Sequence, residues 1–152
     1  MEDELNKMVD LVKEKARFIV EKLGQEHQLF LLTSSPKSLD ITPLGEFNRN
    51  TIRTAMLLVL RVTKATGYVL VGEAMATFAK YGKELILGEI TPDNIPQDDK
   101  KDILIIVYTK KGETPKAIEA IIAEIDGRRK VGEWKESEKL ADTAGVFMIK
   151  DW

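Results

Sequence analysis

Cysteine is missing from all 152 residues, and histidine occurs once. Without a thiol there is no disulfide framework, no thiolate metal site and no cysteine nucleophile. One imidazole is too few for the zinc sites that His and Cys build within a single chain, so no metal site is expected. Charge of one sign is short as well: 23 Lys and Arg stand against 25 Asp and Glu, a net charge of −2. Proteins that coat nucleic acid carry a basic surplus, because phosphate neutralisation supplies most of their affinity. Nucleic acid is therefore not an expected partner. Long apolar runs are lacking too. Ala55–Leu60 falls far short of the ~20 residues of a membrane helix. Met1-Glu2-Asp3-Glu4 is acidic where a signal peptide is basic. The expectation is a cytoplasmic protein with no membrane partner.

Several catalytic signatures are also missing. No Gly-x-x-x-x-Gly-Lys-Ser/Thr loop occurs, and no Gly-x-Gly-x-x-Gly follows a strand pattern, so neither a nucleotide P-loop nor a dinucleotide site is expected. There is no Gly-x-Ser-x-Gly elbow. The acidic stretch with Asp93, Asn94, Asp98, Asp99 and Asp102 has no central glycine or closing glutamate, so it is no EF-hand. No cofactor is implied.

Hydrophobic residues make up 43% and charged residues 32% of the chain, which excludes a disordered tail. A chain of this length fits one domain, 1–152, able to hide roughly 70% of its unfolded surface. Abundant Lys, Glu and Ile without Cys resemble the ion-pair-rich usage of thermophile proteins.

The periodicity predicts two helices. Leu5, Met8, Val9, Val12, Ala16, Ile19, Val20 and Leu23 make one apolar stripe over 2–23, and Gly24 is a natural stop. A second helix is predicted over 50–66, capped by Asn48 or Asn50 and stopped by Gly67. Ile52, Ala55, Met56, Val59 and Val62 mark its main face. Leu57, Leu58 and Leu60 widen that face beyond one stripe, which points to a homo-oligomer contact through this helix.

The rest reads as strands. Residues 28–42 fit a hairpin around Ser34-Ser35-Pro36-Lys37-Ser38. Tyr68–Phe78 and Ile103–Thr109 are apolar on both faces, as central strands are. Gly72, Ala74 and Ala76 would admit a helix close to one of those faces. Glu84–Ile90 and Val146–Ile149 are further predicted strands. Residues 114–125 fit either a helix started by Thr114-Pro115 or a strand. Asp126-Gly127, a favoured hairpin turn, tips the reading to strand–turn–strand. The expected fold is α+β: a largely antiparallel sheet with two main helices from the N-terminal half packed on it.

Glu73 is the candidate ligand-binding residue. The alternation sets its carboxylate among Val69, Val71 and Met75, where a charge needs a partner or a proton. It is either an acid/base or ligand anchor, or a member of a structural ion pair. His27 follows the first helix and has no evident catalytic partner. The hydroxyls of 33–38 with Lys37 suit a phosphate or a sugar, but a turn explains them more simply. Arg49, Arg53, Arg61 and Lys64 form a basic edge without an aromatic ladder. The reading is a small non-enzymatic domain acting through self-association or protein–protein contact. The alternative is a small-ligand domain or an enzyme using Glu73.

Overall fold

The structure, a computed structural model, describes residues 2–45, 51–77, 88–90, 94, 96, 100–136 and 147–152. Its elements are α1 (Glu2–Glu21), β1 (Phe30–Ser34), β2 (Leu39–Pro43), α2 (Ile52–Val62), β3 (Gly67–Thr77), β4 (Lys100–Lys110), β5 (Lys116–Ile125), β6 (Arg128–Val131) and β7 (Lys135–Glu136). The strands form one antiparallel sheet ordered β2-β1-β3-β4-β5-β6, with β7 also beside β5. This is the α+β architecture the sequence predicts.

β3 and β4 are the spine, paired without a break from Gly67 opposite Lys110 to Thr77 opposite Lys100. Both alternate between two apolar faces. Val69, Val71, Leu104 and Ile106 pack with Val9, Val12, Ala16 and Val20 of α1. On the opposite face Leu70, Ile103, Ile105 and Val107 pack with Ile52, Met56 and Leu60 of α2. A strand buried on both sides reads as a near-continuous apolar run. The apolar stripe of α1 is spent on its own sheet.

β5 and β6 meet at Asp126 (φ 53) and Gly127 (φ 75). Two successive positive φ values are what a type I′ hairpin turn requires, so 114–125 is strand from Lys116 onward.

Four predicted features come out differently. α2 stops at Val62 rather than running to 66: the Thr63 and Ala65 N–H groups bond back to Val59 and Leu60, and Lys64 turns left-handed at φ 52. Asn48 and Asn50 lie outside the described residues, and Thr51 stands at the N-cap. Of Glu84–Ile90 only 88–90 are described; they form a turn with Gly88 at φ 75. At Gly72 no helix of the described residues approaches. Leu29 does, and a Cβ built on Gly72 would sit 3.1 Å from the Leu29 Cα.

The fourth is the predicted strand at Val146–Ile149. Residues 147–149 join no ladder, and Val146 lies outside the described residues. The Ile149 N–H instead donates to the Tyr68 hydroxyl at 2.9 Å, which donates to the Phe147 carbonyl at 2.7 Å. Farther along, Trp152 Nε1 donates to the Ala65 carbonyl at 2.7 Å, and its ring meets Tyr68 edge-on at 5.7 Å. The tail satisfies its backbone on a side chain and a turn, so it straps the α2 face with Ile149 buried.

Among the described residues, no helix is long and apolar enough to cross a membrane.

Candidate functional site

Glu73 lies on the α1 face of β3, beyond Val69 and Val71. Its Oε1 accepts from Arg129 Nη2 of β6 at 2.5 Å, with the Glu73 side chain 10% and the Arg129 side chain 24% exposed. The second guanidinium nitrogen, Nη1, donates to the Gln25 carbonyl at 3.2 Å, and the Glu73 N–H donates to the His27 carbonyl at 3.0 Å. The end of α1 is fastened nearby. Glu21 Oε2 accepts the Val131 N–H at 2.7 Å, and Arg17 Nη2 donates to the Gly132 carbonyl at 3.1 Å. One carboxylate and one guanidinium thus join β3, β6 and the segment after α1.

His27 is buried in that segment. Its Nδ1 meets the Gln28 carbonyl at 2.6 Å, and its ring stands edge-on to Phe30 at 5.9 Å. A carbonyl only accepts, so Nδ1 carries the proton. The imidazole is oriented by its own main chain.

Beside the ion pair opens a cleft of about 670 Å³, lined by Lys22, Asp102, Glu124, Arg128, Arg129 and Lys130 among others. Charges of both signs line it, with Glu21, Asp102 and Glu124 beside Lys22 and the basic run of β6. A second cleft, about 480 Å³, separates the start of α1 from the β1–β2 turn and is lined by Met8, Ser34, Ser35, Ser38, Leu39 and Lys110 among others. Its hydroxyls already serve the turn. Ser35 Oγ accepts the Ser38 N–H at 3.2 Å, and Ser38 Oγ donates to Asp40 Oδ2 at 3.0 Å.

The acidic stretch is not one loop: Asp102 belongs to β4, in register with Met75 and Ile122, while Asp93, Asp98 and Asp99 lie outside the described residues. Among the described residues no three His, Cys, Asp or Glu converge as a metal site. The basic edge disperses too. Arg53 Nη1 donates to the Met148 carbonyl at 3.5 Å, Arg61 and Lys64 are exposed, and Arg49 lies outside the described residues.

Tyr68 is the polar residue that the sequence pattern hides. Its hydroxyl is buried under the tail, and burial pushes its pKa up to about 12. The available signal was a phenol at the head of a doubly apolar strand, since a buried hydroxyl needs a partner.

The apolar surface is distributed unevenly. Leu60 is buried and Leu57 packs against the core, so of the three leucines predicted to face a second copy only Leu58 is exposed, next to Val62. The edge strand carries more: Leu39 is 56% and Ile41 63% exposed. Leu11 and Phe18 are exposed on α1 as well. Comparison with protein-family models, curated proteins and solved structures finds no match to this chain.

Proposed function

We propose that the protein is a non-enzymatic domain that acts by association, with itself or with another protein. The observation that supports this is the pair Leu39 and Ile41. Both stand more than half exposed on β2, a strand at the sheet edge. Isolated exposed leucines are ordinary, but an apolar edge strand is a ready template for a further strand. Leu58 and Val62 keep a contact through α2 in play, now as one pair of side chains. Sedimentation velocity over a range of concentrations tests the reading. A mass of at least two chains supports self-association. A monomer throughout restricts the reading to a different protein partner.

The second reading is a small-ligand domain or enzyme with Glu73 as acid/base or anchor. The 670 Å³ cleft beside Arg129 favours it. Arg129 already occupies the carboxylate, so a ligand there would have to compete with the ion pair. A ligand-dependent rise in melting temperature that Glu73→Gln abolishes would favour this reading over association.

A further inference from the structure

The two edges of the sheet differ. β6 presents Arg128, Arg129 and Lys130 in sequence, and charge on an edge strand discourages pairing with another chain. β2 reads Leu-Asp-Ile-Thr-Pro, with one charge, and no described strand lies beyond it.

Its free hydrogen-bonding groups can be assigned. On either side of the β1–β2 ladder, the Leu44 N–H donates to Leu29 and the Ser35 N–H donates to Ser38. An antiparallel ladder alternates with a period of two. Asp40 and Thr42 therefore turn their backbone groups toward β1, while Leu39 and Ile41 turn theirs outward. Pro43 turns out a carbonyl and has no N–H. The side chains of Leu39 and Ile41 lie on the α1 face, in register with Ser34 and Leu32.

We infer that a second copy of this chain pairs with β2, edge to edge and antiparallel, in the one register centred on Ile41. The inference rests on the self-association reading and gives it a surface. In this register the two Ile41 residues exchange both N–H···O bonds. Each Leu39 N–H meets the Pro43 carbonyl of the other copy, and each Asp40 lies opposite a Thr42 hydroxyl. Shifting the register toward the turn sets Asp40 directly against Asp40, which like charges disfavour. Shifting it the other way sets each Pro43 opposite Ile41, so that no central pair exchanges both of its bonds. Leu39 and Ile41 of both copies then form a single apolar row. That row continues into the cleft shared by Leu39 and Met8. The two-fold arrangement closes on itself and leaves no β2 edge for a third copy.

The absence of native cysteine makes the test direct. In this register the two copies of residue 41 have Cα atoms about 5.5 Å apart, within reach of a disulfide. Ile41→Cys should cross-link into a dimer under mild oxidation. Asp40→Cys and Thr42→Cys should cross-link efficiently only when mixed. Ile41→Pro removes an outward N–H without touching the ladder to β1. It should run as a monomer in sedimentation with an unchanged circular-dichroism spectrum, while Leu58→Lys stays dimeric. A wild-type chain that is monomeric at all concentrations overturns this inference together with self-association. A dimer that survives Ile41→Pro, does not cross-link at 41 and dissociates in Leu58→Lys overturns the edge pairing alone. Efficient cross-linking of Asp40→Cys by itself overturns the register.

Discussion

Arg129 reaches Glu73 across 56 positions of sequence, and the carboxylate it holds there is only 10% exposed. Exposed pairs contribute about 0–1 kcal/mol, and breaking a buried one costs about 3–5. With Arg129 at 24% exposure, Glu73→Gln should cost an intermediate amount, about 2 kcal/mol in urea denaturation. Glu73→Leu should cost at least as much. Adding Arg129→Leu to it should recover most of the loss, because no charge is then left without a partner. Single variants as stable as wild type would mean the pair contributes nothing. Tyr68 gives a pH signature. Burial raises its pKa from 10.0 to about 12, so the folded state holds the phenolic proton more tightly than the unfolded chain does. The stabilisation is complete below pH 10 and is lost as pH climbs toward 12, a difference of about 2–3 kcal/mol. Tyr68→Phe should lack this alkaline decline. It should also lose about 1–3 kcal/mol at neutral pH, because the Ile149 N–H is left without its acceptor. Paired melts of wild type and variant at about pH 8 and about pH 11.5 check both parts.

At the scale of elements, legibility follows the range of the forces involved. The stripe of α1 and the Asp126-Gly127 turn are local: side-chain period and backbone φ decide them, and both can be read from neighbouring residues. β3 and β4 announce themselves by being apolar on both faces. The end of α2 could not be placed this way. Ala65 is drawn into the core behind a left-handed Lys64, and nothing in the local pattern stops the helix at Val62. The segment 147–149 fails for the same reason, because apolar residues look like a strand whether or not a ladder receives them. For Glu73 the position was legible in the alternation of β3, but its partner was not, since only the sheet order brings β6 near. Gly72 offers a test of such a non-local fit. A methyl there overlaps the Leu29 Cδ1 and meets the Leu29 backbone at 3.1 Å, and overpacking of this kind costs about 1–3 kcal/mol. Gly72→Ala should lower the thermal midpoint accordingly. Leu29→Ala in the same chain should relieve part of that loss, as residues in contact do not add independently.

Among the described residues one sheet separates two cores of different construction: α1 covers one, while the shorter α2 and residues 147–152 share the other. The chain has two tryptophans, and each core has one. Trp134 packs with the α1 cluster and Trp152 with the α2 cluster. Each layer therefore carries its own optical reporter. Trp134→Phe leaves an emission that senses the strapped layer, and Trp152→Phe leaves one that senses the helix-covered layer. Because β3 and β4 supply side chains to both, the two emission changes should coincide along one urea titration, as a cooperative unit requires. If the Trp152 signal moved first, the tail would be peeling away from a sheet that still held α1, and the molecule would unfold one layer at a time.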